Sequence, residues 1–287
     1  MSKKGLKTPL RYPGGKSRAC TKMGQYFPDL REYVEFREPF LGGGSVAIHV
    51  SKLNPHLKIT VNDLYEPLIN FWMNLQMFGD ELSTNLKNLK IAHPNQDSAR
   101  CLFAEMKDVI NDSTQNNLDR AVAFYIVNKC SFSGLTESSS FSAQASDSNF
   151  SLRGIEKLPE YSEIISHWHI NSYSYEYCFR TDIHDGLFMY LDPPYDIKDN
   201  LYGKGGAMHK SFDHDKFAAD CDAHNDTKML ISYNSDQLVK DRFKNWNASE
   251  FKLTYTMRSV GEYMREQQER KELLLFNYKL SEVTVDE

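Results

Sequence analysis

The run Leu187-Phe188-Met189-Tyr190-Leu191 leads directly into Asp192-Pro193-Pro194-Tyr195. Consecutive apolar residues preceded by Asp185-Gly186 have the length and texture of a strand buried on both faces. The two prolines cannot continue a central strand, so it stops at Asp192. A strand of this kind belongs in an α/β sheet, and the tetrapeptide then occupies the strand's carboxyl end. That is the edge where open α/β sheets bind ligands.

The chemistry offered there is specific. An ionised Asp192 only accepts hydrogen bonds, and Pro193 presents a carbonyl, no N–H and a fixed φ. Tyr195 adds a flat face on which a planar group can stack. Two acceptors beside an aromatic plate suit the exocyclic amine of a nucleobase. Such an amine is a poor nucleophile because its lone pair is delocalised into the ring. Acceptors on its N–H bonds localise that pair and stabilise the positive charge that develops. Taken alone, the tetrapeptide is equally well read as a strand closed by a Pro-Pro turn.

Upstream, Tyr33 to Glu38 reads as a strand running into Glu38-Pro39-Phe40-Leu41-Gly42-Gly43-Gly44-Ser45, with Ser45 placed to cap a helix from Val46 to Leu53. Strand, glycine loop and helix form a nucleotide-type cradle, although the glycine spacing is not the dinucleotide fingerprint. The next strand, Lys58 to Val61, ends in Asn62-Asp63. Asp63 follows the loop by about 20 residues, where an acid meets ribose hydroxyls in such units. Capping a helix that begins near Leu64 is the competing reading. The first 28 residues carry seven Lys and Arg and no acid, in a chain of net charge −5, so any basic surface is local. Within them, Tyr12-Pro13-Gly14-Gly15-Lys16 would let backbone approach a ligand and Lys16 meet a carboxylate or phosphate. A plain turn is the alternative.

From about Leu75 to Glu163 the βα alternation stops. Helical patterns there include Leu118 to Lys129, and Ser138 to Asn149 reads as a mobile polar loop. Residues 75–163 are therefore expected to form a mostly helical insertion in an α/β domain made of 1–74 and 164–287. Trp168 to Asn171 returns to strand character. The stretch Asp196 to Ser211, rich in Gly and Lys, either closes over a nucleotide or is ordinary surface. Helices from Asp213 to Ala223 and Ser235 to Phe243 bracket a strand from Lys228 to Tyr233. Two last strands, Phe251 to Arg258 and Leu273 to Lys279, have no helical link and should pair antiparallel. The charge run Glu262 to Glu272 between them reads as solvated surface. Cys20, Cys101, Cys130, Cys178 and Cys221 form no Cys-x-x-Cys pair and read as the reduced thiols of a cytosolic protein. His167 and His169 lack further ligands at suitable spacing, so a metal is not expected. No apolar run is long enough to span a bilayer.

Together, Tyr12 to Lys16, Glu38 to Ser45, Asn62-Asp63 and Asp192 to Tyr195 resemble, in order and spacing, the Dam-type DNA adenine-N6 methyltransferases of the D12 class, which use S-adenosylmethionine. Arg258 and Arg270-Lys271-Glu272-Leu273-Leu274 are similar to the family's C-terminal end. The likeness runs from near residue 6 to 280 and is weakest in the insertion. It implies a Rossmann-like methyltransferase sheet, mixed through its C-terminal antiparallel hairpin, with the insertion as DNA target-recognition subdomain. Carried over by position, Tyr12, Lys16, Phe40, Gly42, Asp63 and Asp192 would bind S-adenosylmethionine, Asp63 at its ribose. Asp192, Pro193, Pro194 and Tyr195 would be catalytic, with no metal. Asn128 to Leu135 resembles a stretch that touches DNA in the family, which implies Lys129, Phe132 and Ser133, with Arg153 beyond, as DNA-binding. The family usually has Asn where Ser133 stands, so the resemblance does not carry GATC over as the target.

The implied partner is double-stranded DNA, with the target base flipped out of the stack. The base would lie on Tyr195, its amine held by Asp192 and the Pro193 carbonyl for direct displacement at the sulfonium methyl. The implied setting is a monomer or weak dimer in the cytoplasm of a bacterial or phage-infected cell, either solitary or within a restriction-modification pair. Cytosine-N4 methylation uses the same acceptors and is the nearest alternative. A DNA-binding relative without catalysis is another. A nicotinamide dehydrogenase leaves Asp-Pro-Pro-Tyr unexplained.

Overall fold

A computed structural model describes residues 6–195, 212–253 and 270–280. Strand β4 (Leu187–Leu191) is buried at every position, as its unbroken apolar run requires. It pairs in parallel with β1 (Glu35–Glu38) on one side and β5 (Lys228–Asn234) on the other. Beyond β1 lie β2 (Lys58–Asn62) and β3 (Trp168–Asn171), also parallel. On the far side β7 (Arg270–Phe276) is antiparallel to β5, and β6 (Asn247–Leu253) is antiparallel to β7. The order is β3-β2-β1-β4-β5-β7-β6, the mixed Rossmann-like methyltransferase sheet with its antiparallel end. Both terminal strands begin earlier than the sequence indicates, because pairing already starts at Asn247↔Phe276 and reaches Leu253↔Arg270. Chain order reverses between β1 and β4, so their carboxyl ends diverge into a crevice.

Alternation along the strands divides the core. Phe188 and Tyr190 face one hydrophobic cluster, while Leu187, Met189 and Leu191 face the other. The second face is covered by α9 (Tyr175–Arg180), α10 (His214–Ala223) and α11 (Gln237–Arg242). The first is covered by α1 (Cys20–Gly24), α2 (Ser45–Leu53) and helices of the insertion. These are α3 (Glu66–Ala92), α4 (Gln96–Val109), α5 (Asn117–Cys130), α7 (Leu152–Ile155) and α8 (Leu158–Ile165), while α6 (Ala143–Ser148) packs outside them on α4 and α5. Helix α3 runs across residue 75, with non-helical backbone only at Phe78. Its Phe71 ring stacks on Tyr125 of α5, centroids 6.0 Å apart, and its Trp72 packs on Trp168 of β3 at 5.7 Å. One apolar cluster thus joins the insertion to the sheet.

Two local expectations fail for identifiable reasons. Helix α2 starts at Ser45, whose side chain does not cap it. The N-cap is Gly44, left-handed at φ +65°. Any Cβ on Gly44 would lie 2.7 Å from the Trp72 ring, so this turn requires glycine on two counts. Ser138 to Asn149 contains helix α6 and is not a loop throughout. Its signal is a cap, not an apolar period: Ser142 Oγ accepts from Ala145 N at 3.2 Å. Phe141 anchors the preceding residues against Phe103, ring centroids 5.6 Å apart.

Candidate active site

A cavity of about 300 Å³ opens at the carboxyl ends of β1, β2 and β4. Its floor is the glycine loop. Gly42 stands at φ +48°, and a Cβ there would come within 2.9 Å of the Tyr12 ring. The Tyr12 to Lys16 segment is indeed a turn, closed by Gly15 N donating to Tyr12 O at 3.1 Å. It also forms one wall of the cavity, so the two readings of that segment coincide.

The turn delivers Lys16 into the interior. The side chain is 2 % exposed, and its Nζ donates to both Asp192 oxygens at 2.8 Å and to the Gly14 carbonyl at 3.0 Å. Glu272 lies 3.3 Å from the same Nζ. Burial alone would lower the Lys16 pKa, but the carboxylates of Asp192 and Glu272 hold it well above the ordinary lysine value. Burial likewise raises the Asp192 pKa, an effect that Lys16 opposes. Asp192 Oδ1 also accepts the Ser232 hydroxyl at 2.7 Å, and Ser232 in turn meets Tyr190 Oη at 2.8 Å. A carboxylate offers about four lone-pair sites. Among the described residues Oδ1 meets two donors and Oδ2 one, so Oδ2 retains acceptor capacity.

Tyr195 follows at the end of β4. Its ring is near-parallel to that of Tyr233, 6.0 Å between centroids at 29°, and its hydroxyl donates to Glu272. Lys16 Nζ stands 4.9 Å from the Tyr195 ring centre. Pro194 lines the cavity, and Pro193 is buried behind it. Glu272, which the charge run places on solvated surface, is 1 % exposed. β7 runs between β5 and β6, and Glu272 stands opposite Asn234 and Phe251. No local pattern announces this, because it depends on strand order.

At the other end of the cavity Asp63 Oδ2 accepts from Gly42 N at 2.9 Å and Oδ1 from Tyr65 N at 3.0 Å. The N-cap of α3 is Tyr65, so Asp63 braces the glycine loop and does not cap the helix. Burial raises its pKa. Phe40 stacks on Tyr175 at 5.6 Å and 29°, which gives the cavity an aromatic wall. Tyr175 is legible only as one of several tyrosines after β3. Glu38, at the end of β1, is a second residue whose weight sequence reasoning missed. It is 3 % exposed, lines the cavity, and its Oε2 meets no partner among the described residues. Burial first, then the neighbouring Asp192 charge, pushes its pKa well above the usual carboxylate range.

The four residues expected at DNA lie on the insertion. Lys129 is in the last turn of α5, with Nζ 5.2 Å from the Tyr125 ring centre. Burial and the nearby Arg11 lower its pKa to about 8. Phe132 and Ser133 follow in a 3₁₀ turn, with Phe132 44 % exposed and Ser133 left-handed at φ +54°. Arg153, on α7, is exposed. Asn128, fully buried, ties this region to the cavity wall: its Oδ1 accepts from Arg11 N at 2.9 Å and its Nδ2 donates to Arg11 O at 2.7 Å. The stretches Asp196 to Ser211 and Glu262 to Glu269, with Arg258 and Lys3 and Lys4, lie outside the described residues.

A glycine loop after β1, an acid after β2 and Asp-Pro-Pro-Tyr after β4 of this sheet define an α/β methyltransferase acting on a base amine. The chain belongs to the D12 class N6 adenine-specific DNA methyltransferase family, whose pattern matches residues 12–257. It is 23 % identical over 270 residues to the type II methyltransferase M1.LlaDCHI of Lactococcus lactis subsp. cremoris, covering 89 % of this chain and 90 % of that one. It is 27 % identical over 127 residues to the DNA N-6-adenine-methyltransferase of Escherichia phage P1, covering 44 % of this chain and 15 % of that protein. The type II methyltransferase M.CviBI of Paramecium bursaria Chlorella virus NC1A is 23 % identical over 203 residues, 69 % of this chain and 72 % of that one. Among the described residues no helix is long and apolar enough to cross a membrane, and no cluster of His, Cys, Asp or Glu has the makings of a metal site.

Proposed function

We propose that the protein methylates the N6 amine of adenine at a particular sequence in duplex DNA, with the target base flipped into the cavity and S-adenosylmethionine as methyl donor. The observation that carries this reading is the Asp192 carboxylate, held at the cavity edge by Lys16 and Ser232 with Oδ2 still able to accept. The cavity fits such a donor. The orphaned Glu38 Oε2 suits a substrate ammonium, the Phe40–Tyr175 wall suits a planar base, and Asp63 suits ribose hydroxyls. Tyr12, Lys16, Phe40, Gly42, Asp63 and Asp192 are the residues assigned to it. When bound, S-adenosylmethionine supplies an electrophilic methyl group, which needs no covalent intermediate on the protein.

The chain's own residues do the rest. Tyr195 provides the face on which the extruded base stacks. Asp192 and the Pro193 carbonyl accept from the amine, with Pro194 setting the turn, and stabilise positive charge as nitrogen bonds to carbon. Lys16 pairs with Asp192 and favours its ionised form against the effect of burial, so the carboxylate acts as an acceptor during attack. The N–C bond forms as the methyl–sulfur bond breaks, leaving a neutral thioether, and the amine proton, acidic once nitrogen is positive, passes to solvent after transfer. Residues 75–163 serve target recognition, with Lys129, Phe132, Ser133 and Arg153 at the DNA. Phosphate contacts set position and base contacts set specificity.

The direct test is to express the protein in cells lacking adenine methylation and map modified bases in their DNA. The expected result is N6-methyladenine at one recurrent sequence. N4-methylcytosine instead, or no modified base, would overturn the reading. A second test concerns Asp63. Its Ala variant is expected to bind S-adenosylmethionine more weakly by about 1.5–3 kcal/mol, the range for a hydrogen bond to a charged group. Calorimetry giving parental affinity in a folded variant would remove Asp63 from the site.

A further inference from the structure

We infer that Glu272 is a positioning residue for methyl transfer: through the Tyr195 hydroxyl it fixes the ring on which the target base stacks. The inference rests on the proposed stacking role of Tyr195. Tyr195 follows two prolines past the end of β4. Side-chain contacts place its ring. One face lies along Tyr233, and the hydroxyl is held by Glu272. Glu272 is itself fixed on all sides. It sits within β7, hydrogen-bonded between β5 and β6, is 1 % exposed, and faces Lys16 Nζ at 3.3 Å. A carboxylate this deep is costly to bury unless it is paired. Here the Lys16 ammonium compensates it while it receives the Tyr195 proton donor. The aromatic plate is therefore locked to the sheet, as a preorganised site requires. It is referenced to the same ammonium that orients Asp192, so plate and acceptor share one frame.

The test is a double-mutant cycle on Glu272→Gln and Tyr195→Phe, with Glu272→Ala and Tyr195→Ala as deeper truncations. The readout is labelled-methyl transfer from S-adenosylmethionine to DNA prepared from cells without adenine methylation. A misplacement of about 1 Å can cost on the order of a hundredfold in rate. Glu272→Ala is expected to lower kcat by that order, with the KM for DNA and the Kd for S-adenosylmethionine within about threefold of parent. Glu272→Gln, which keeps an acceptor for the hydroxyl, should recover about tenfold of that loss. In the Tyr195→Phe background, which keeps the ring but has no hydroxyl, changing Glu272 should add little further loss.

Multiplicative losses in the double variant, or a Gln variant no better than Ala, would overturn the inference. So would a fall in S-adenosylmethionine affinity equal to the fall in kcat, because Glu272 would then act through Lys16 on the cofactor. Should Glu272→Ala not fold, the near-isosteric Glu272→Gln and Tyr195→Phe pair still completes the cycle. Parental activity in Tyr195→Ala would remove the stacking role and the inference together. A crippled Tyr195→Ala beside a multiplicative double variant removes the inference alone.

Discussion

Replacing Asp192 with Ala is expected to lower the single-turnover methylation rate by roughly a hundred- to a thousandfold, about 2.7–4 kcal/mol, the usual loss for one preorganised charge-stabilising group. Asn at the same position keeps an oxygen of the same reach and loses the charge, so it retains measurably more activity than Ala while falling below parent. The difference follows from the geometry. Lys16 and Ser232 orient the side chain and leave Oδ2 able to accept from an incoming amine. A carboxamide can reproduce part of that. DNA affinity should change far less than rate, because phosphate contacts supply much of the affinity of DNA-binding proteins. Single-turnover rates at saturating S-adenosylmethionine isolate the chemical step from product release. Equal and complete loss in both variants, with binding intact, would instead assign Asp192 a role as charge or proton carrier.

The larger effect on stability is expected at Lys16. Lys16→Met removes the only ammonium that the described residues place against both Asp192 and Glu272. Breaking a buried ion pair by deleting one partner typically costs about 3–5 kcal/mol, a large share of a stability of about 5–15 kcal/mol. The loss carries a pH signature. Already in the parent, burial raises the Asp192 pKa while Lys16 opposes that rise. Without Lys16, the folded Asp192 pKa moves further above its unfolded value near 4. The folded state then binds more protons than the unfolded one, and stability falls as pH rises. Urea unfolding should therefore show the variant closer to parent near pH 5 than near pH 8. A deficit that does not grow with pH would mean that Lys16 contributes packing and not charge compensation. Methylation should be lost at both pH values, since Asp192 loses its orienting partner.

Much of this molecule can be read locally. The apolar run and the two prolines settle β4 and its end, since periodicity and missing N–H groups are properties of a few adjacent residues. The glycine loop shows where backbone must turn tightly, and helix α5 follows from the pattern of Leu118 to Lys129. Capping was read less well at α2, where Gly44, packed against Trp72, takes the N-cap expected of the Ser45 turn. For Asp63 the alternative reading as a cap of α3 falls away, since Tyr65 holds that position.

The site itself is a product of tertiary structure. Lys16 and Asp192 are 176 residues apart and meet only because the N-terminal turn folds over the crevice between β1 and β4. Glu272 looks like surface in a run of charges. It is interior because β7 enters the sheet between β5 and β6, facing Tyr195. A single chain displays which groups it carries and where its backbone must stop or turn. Which of those groups share a buried space depends on strand order and on crossovers many residues long, and local pattern holds no record of either.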